Sequence, residues 1–399
     1  MTSVEWPERR LGGVVTLKRG YDLPVQDRTP GDFPIVSSSG VTGFHAVPKV
    51  KGPGVVTGRY GTLGEVFYIC EDFWPLNTSL YVQDFKGNDP RFVAYFLGHL
   101  DLGSRNAAGA VPGVNRNHLH AMAVRVPYVP EQRRIAETLA AYDDLIEKNL
   151  RRMRILEEMA RALYCEWFVD LRFPGHERTA VSRTHQRSLP NDWSFAKLKD
   201  LALVNQAQVD TKAPPKRILY IDIASVATGT IREVTPFAFE DAPGRARRIV
   251  KHGDILWSCV RPNRRSHVLM LNPELDTVAS TGFAVLTATK VPYTFLYQAT
   301  TTDGFVAYLT NHATGAAYPA VTARTFQDAE ILVPPEPLLR QFAEVTVPQA
   351  ELIALLQRQN GNLRQTRDLL LPRLLSGQLS LAEVDDSPVL LTESETVPG

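Results

Sequence analysis

Cysteine is scarce: the 399 residues hold three, Cys70, Cys165 and Cys259, far apart and in no CxxC pair. An odd, dispersed set argues against a disulfide framework or a zinc site and fits a reducing cytoplasm. Long apolar runs are also missing. No stretch approaches the roughly 18 consecutive apolar residues of a membrane helix. The stretch Met1 to Arg10 is charged, carries Trp6 and Pro7, and lacks the apolar core of a signal peptide. A cytoplasmic protein with no membrane partner is expected. Charge of one sign is lacking as well, since 44 basic and 43 acidic residues leave +1. That balance weighs mildly against nucleic acid as a partner, because nucleic-acid-binding domains are commonly basic. Local clusters weigh the other way: Arg245, Arg247 and Arg248 lie just ahead of Arg261, Arg264 and Arg265.

Catalytic signatures are absent. The chain has no GxxxxGK[ST] phosphate loop, no GxGxxG after a strand, and no HExxH or GxSxG. It lacks the acidic-residue-plus-PPY tetrapeptide of adenine methyltransferases and the paired acids with lysine of many nucleases. His118 and His120, two apart in a strand or turn with no third ligand nearby, read as surface or satisfied histidines rather than a metal site. Cys259 with His267 reads the same way. The glycine-rich stretch Gly58 to Glu65, GRYGTLGE, reads as a hairpin with two glycine turns rather than a phosphate cradle. No catalytic residue, metal or cofactor is expected in this chain.

What the sequence does contain is an internal repeat. Gly113 to Ala136, shifted by 207 positions, falls on Ala320 to Ala343. Val114 meets Val321, Val126 meets Val333, Pro127 meets Pro334, Pro130 meets Pro337 and Arg133 meets Arg340. Upstream, Trp6 and Leu11 echo Trp193 and Leu198 with a shift of 187, so the copies differ by insertions inside each globular half.

Past the proline pair each copy turns helical. Apolar residues fall at Ile135, Leu139, Tyr142, Ile146, Met153, Leu156, Leu163 and Trp167, with Ala160 filling one step and Asn149 the polar interruption. The same register gives Ile353, Leu356, Leu363, Leu370 and Leu374 in the second copy, with Phe342, Thr346, Gln349, Asn360 and Arg367 between. Alternating steps of four and three make a coiled-coil seam. An antiparallel pair is expected, related by an approximate twofold axis, with Asn149 and Asn360 as polar register-setters. The bland alternative is that each helix only covers its own neighbouring domain. Pro348 predicts a break: a short helix to about Val345, then a long one to the stop at Ser376-Gly377.

The globular halves lack regular strand–helix alternation. Short β-type runs appear instead, as at Gly54–Thr57, Ser79–Val82, Asp254–Val260 and Gly282–Leu286, with a helix candidate near Arg91–His99 and its expected counterpart near Phe305–Thr310. The fold class is therefore α+β: two tandem α/β domains with largely antiparallel sheets, each followed by a long helix. The expected organisation is a first domain over 1–130, a helix over 131–172, a linker over 173–188, a second domain over 189–337, a helix over 338–378 and an acidic, disordered tail over 379–399.

Loop-borne polar and basic residues remain as candidate functional groups. In the first half these are Arg59, Tyr60, Asn115, Arg116 and Asn117; in the second they are Arg261, Asn263, Arg264, Arg265, Thr322 and Arg324. Arginine reads guanine and asparagine reads adenine in the major groove. Copies that differ at such positions suit readers of two different half-sites. Solubility alone also fills loops with Arg and Asn.

Two segments carry a family resemblance: Val126–Asp170, VPYVPEQRRIAETLAAYDDLIEKNLRRMRILEEMARALYCEWFVD, and the pair VPPEPLLRQF and LRQTRDLLLPRLLSGQLS ending at Ser380. With the two-copy layout, these resemble the specificity subunit of type I restriction–modification enzymes over nearly the whole chain. The resemblance implies target-recognition domains that bind the halves of a split double-stranded DNA site. It also implies helices that set the spacing and dock two methyltransferase subunits carrying S-adenosylmethionine, through which motor–nuclease subunits using ATP and magnesium join. This chain would have no catalytic role. One departure is Leu338-Leu339-Arg340-Gln341 where the first copy has Glu131-Gln132-Arg133-Arg134, which either weakens the second docking surface or has no consequence. The alternatives are a non-catalytic coiled-coil scaffold, or the specificity module of another methyltransferase or restriction system. A fused nuclease or methyltransferase is disfavoured by the missing motifs.

Overall fold

The computed structural model describes residues 6–100, 102, 113–184 and 187–379; the acidic tail at 380–399 lies outside them. The chain divides into two compact units, Met1–Lys148 with Asn360–Gly399, and Asn149–Gln359.

In the first unit, an antiparallel sheet runs in the order Thr16–Arg19, Ser79–Asp84, Gly54–Gly58, Val66–Ile69. Its inner strand, GVVTG, is buried throughout. Gly58 is required there, because a Cβ would stand 1.8 Å from the Thr62 carbonyl oxygen. Gly61 and Gly64 both adopt positive φ in the connection that follows, so the glycine-rich segment is a hairpin, as expected. A second, three-stranded sheet pairs Phe33–Ser37 antiparallel with Gly40–His45 and parallel with Trp74–Pro75. Asp89 caps the helix Pro90–His99 by accepting from the Phe92 N–H at 2.9 Å, with proline in the first turn.

The second unit repeats this plan. Ala202–Val204, Phe283–Ala288, Ile255–Ser258 and His267–Leu269 form the same strand order. The parallel pair recurs as Arg217–Ile221 with Thr277–Ser280, flanked by Thr235–Ala238 and Ala246–Ile249. Helix Tyr293–Thr301, following its strand as Pro90–His99 does, takes the place of Pro90–His99, so the expected counterpart near Phe305–Thr310 is instead an added helix, Asp303–Asn311. The α+β class and the tandem layout thus hold, with two parallel pairs inside otherwise antiparallel sheets.

The long helices are α1, Val129–Tyr164, and α2, Glu336–Leu375. Within the first unit Arg367 pairs with Asp143 at 2.5 Å, and the Asn360 amide donates to the Ile146 carbonyl at 3.4 Å. Within the second, the Asn149 amide donates to Gln359 Oε1 at 3.0 Å and Met153 packs on Ile353 and Leu356. Partner numbers fall on α2 as they rise on α1, so the helices run antiparallel in each unit. Both asparagines are buried at the seam and meet the opposite helix. The seam's ends behave differently. Ile135, Leu139 and Leu374 sink into the core around Phe92 and Phe96, and Trp167 joins the core around Phe295 and Phe342. There each helix does cover a globular core.

Three expectations are corrected. Pro348 does not break α2, which is continuous over 40 residues. Proline removes a single i→i−4 bond, and flanking turns anchored by buried Phe342, Thr346 and Ile353 hold the helix through it. The segment 173–188 is more than a linker: it contains a turn at His176–Arg178 and the hairpin strand Val181–Thr184 paired with Arg187–Pro190. Phe173 is buried against Trp193, with ring centroids 5.3 Å apart. His118 and His120 lie on the short helix Arg116–His120 rather than in a strand or turn, and His120 Nε2 accepts from the Leu17 N–H at 2.9 Å. That makes His120 a satisfied structural histidine.

The departure at Leu338-Leu339 has a physical reading too. Gln132 is buried, and its amide donates to Asn88 Oδ1 at 2.7 Å and the Pro127 carbonyl at 2.9 Å, while its oxygen accepts from the Asp89 N–H at 3.0 Å. Leu339 instead sits in the apolar core with Phe342. The difference between copies faces inward.

Candidate nucleic-acid interface

In the first unit the fold joins two loops far apart in sequence. Strand Gly54–Gly58 ends at Arg59, whose carbonyl accepts from the Val114 N–H at 3.0 Å, and Tyr60 bridges Gly113. Arg59, Tyr60, Asn115, Arg116 and Asn117 therefore share one surface. The Arg59 guanidinium lies over the Tyr60 ring at 4.5 Å and donates to its hydroxyl at 3.2 Å. Asn115 caps the short helix through the Asn117 N–H at 2.9 Å. Part of its hydrogen-bonding capacity is thus used locally.

The second unit has the same junction with other side chains. The Cys259 carbonyl accepts from the Val321 N–H at 2.9 Å, and Val260 bridges Ala320. Thr322 takes the place of Asn115 as the cap of helix Ala323–Asp328, in a reciprocal box with Thr325. Arg261 holds a left-handed backbone at φ 50°. Its N–H donates to the Pro319 carbonyl at 2.7 Å, and its guanidinium covers the Tyr318 ring at 4.7 Å. Asn263 and Arg264 sit exposed on the turn Pro262–Arg264. Arg265 pairs with Asp303, and Arg324 with Asp328 at 3.4 Å. All six second-half candidates thus gather at one end of this unit. Burial pushes the Cys259 thiol up to about 11 and the His267 imidazole down to about 4. Both groups are therefore uncharged near neutral pH.

Other basic groups lie outside the candidate set, Arg245 among them although its cluster is visible in the sequence. The Arg245 carbonyl accepts from the Thr281 N–H, one residue before Gly282 accepts from the Cys259 N–H, so the backbones that carry the two arginine clusters bond to adjacent residues of one segment. Arg245 is oriented by Asp222 at 2.6 Å and the Tyr220 hydroxyl at 3.0 Å. In the first unit Lys18 and Lys49 flank Tyr21 and Trp74. No motif marks these positions; the strand pairing alone assembles them. Among the described residues no group of His, Cys, Asp and Glu is arranged to hold a metal, and no helix is long and apolar enough to cross a membrane.

Residues 3–153 match the family "Type I restriction modification DNA specificity domain". The chain is 23% identical over 278 residues to the type I restriction enzyme MjaIX specificity subunit of Methanocaldococcus jannaschii, covering 68% of this chain and 64% of that protein. It is 20% identical over 340 residues to the MjaVIII specificity subunit of the same organism, covering 83% of this chain and 77% of that one. The S subunit of a type I restriction–modification system from M. genitalium shares the fold, with a TM-score of 0.64 at 15% identity over 94% of this chain and 97% of that one. The resemblance carried by the long helices is borne out.

Proposed function

We propose that this chain is the sequence-reading specificity subunit of a type I restriction–modification complex. The observation that carries the proposal is the repeated junction: in both units a strand end docks beside a helix start, and the two junctions present different polar side chains. In the first half-site reader these are Arg59, Tyr60, Asn115, Arg116 and Asn117; in the second they are Arg261, Asn263, Arg264, Arg265, Thr322 and Arg324. The chain does no chemistry itself. α1 and α2 serve as the spacer and as the docking surface for two methyltransferase subunits, which bring S-adenosylmethionine. Motor–nuclease subunits with ATP and magnesium join through them, in the cytoplasm. Phosphate contacts dominate DNA affinity, so the balanced charge of +1 fits a division of labour in which partners supply much of the basic surface and this chain reads bases.

Methylome sequencing of cells expressing the chain with methyltransferase subunits tests this. A split methylated motif is expected, and exchanging residues 1–125 for another specificity subunit's first domain changes only one half of it. A change in both halves, or methylation without any motif, overturns the proposal.

A further inference from the structure

Beside Arg59 and Tyr60 the first unit carries a second cluster with no role in the reading above. Lys18 Nζ lies 5.6 Å from the centroid of the Tyr21 ring, and Lys49 Nζ lies 5.3 Å from the same centroid. Lys49 also stands 5.6 Å from the Trp74 ring. Trp74 meets Tyr21 edge to face at 6.5 Å, and the Tyr21 hydroxyl is 3.0 Å from that of buried Tyr81. Both ammonium groups thus approach the same ring, which packs against Trp74 and Tyr81. Among the described residues neither has a carboxylate within ion-pair distance. The nearest acid in sequence, Asp22, is engaged by Arg19 at 3.7 Å and by Asn77.

Two like charges held at one ring raise each other's energy, and an anion between them relieves it. The Tyr81 hydroxyl, with Lys18 and Lys49 behind it, holds the Tyr21 hydroxyl below the usual tyrosine value against the effect of burial, as expected in a positive field. Lysine is a flexible point charge suited to a phosphate rather than to bidentate base recognition.

Position identifies the anion. The Gly20 N–H donates to the Ser79 carbonyl at 3.1 Å and the Arg59 N–H to the Thr78 carbonyl at 2.9 Å. The strand bearing Lys18 and the Arg59–Tyr60 segment therefore flank the same strand, one on each side, and Lys49 joins Lys18 at the Tyr21 ring. Strand spacing puts the two flanking segments about 10 Å apart. The major groove is about 12 Å wide, so a loop reading its floor brings a group at that offset to the phosphate wall.

We propose that Lys18 and Lys49, set on the Tyr21–Trp74 floor, grip DNA backbone phosphates beside the half-site faced by Arg59 and Tyr60. This rests on the DNA-reading function above. It assigns the pair to affinity and register rather than to sequence choice.

The test uses the full chain with its methyltransferase subunits, bound to a duplex bearing the methylated motif and to a scrambled duplex, across 50–200 mM salt. Lys18→Ala with Lys49→Ala should weaken both alike and lower the slope of log affinity against log salt by about 1.8, at about 0.9 per phosphate contact. The methylated motif should stay the same. Lys18→Arg with Lys49→Arg keeps both charges and should keep the slope, which separates a charge role from a packing role. An unchanged slope in the alanine variant overturns the lysine assignment, and so does an altered motif. A wild-type complex with no preference for the motif duplex brings down the DNA reading, and the lysine proposal falls with it.

Discussion

Gln132→Leu makes the first copy resemble the second, where Leu339 occupies the matching place. The Gln132 side chain is 1% exposed and makes three hydrogen bonds, to Asn88, Pro127 and Asp89. Leucine would leave the Asp89 N–H, the Asn88 oxygen and the Pro127 carbonyl without those partners. Each unsatisfied group costs about 1–3 kcal/mol, while burying the leucine side chain returns about 1.5–2 kcal/mol. Relaxation lowers the first figure, so a net loss of about 2–4 kcal/mol is expected. Denaturant unfolding of the full chain measures the total, and hydrogen exchange locates it. The Asp89 and Phe92 amides should lose protection, because the cap of helix Pro90–His99 is tied to α1 through this side chain. The converse change, Leu339→Gln, buries an amide in the apolar core and should also cost at least about 2 kcal/mol. A neutral Gln132→Leu with unchanged exchange would refute the account of why the copies differ.

Further outcomes follow from other sites. His267 is 2% exposed, its Nδ1 has no partner among the described residues, and burial, with Arg161 and Arg265 adding to it, lowers it from 6.5 to about 4. The unfolded chain therefore binds the proton first, and stability drains as pH falls from about 6.5 to about 4, by about 3 kcal/mol in all. Urea titrations of wild type and His267→Phe should diverge across that window, and parallel curves would contradict the assignment. Pro348→Ala restores a helix bond in an exposed position and should stabilise the chain by as much as about 3 kcal/mol; a lowered unfolding midpoint would show that the proline is needed for local geometry. Arg261→Gly suits the left-handed backbone at φ 50°, so stability should hold or rise by about 1 kcal/mol while one half of the methylated motif relaxes. An unchanged motif would remove Arg261 from the readers.

The sequence by itself determined the repeat, the two long helices and their seam, because each is a local period or a fixed offset. The 207-residue shift that equates Asn115 with Thr322 survives as two helix caps in matching places. The hairpin around Gly61 and Gly64 was also legible, since positive φ leaves a glycine signature. Pro348 misled because local propensity was outweighed by packing on both sides of it. Tertiary structure alone decided which loops meet. Arg59 lies next to Asn115, and Lys18 and Lys49 reach one tyrosine, through strand pairings between residues tens of positions apart. Such pairings leave no periodic trace, and the candidate interface is made of them.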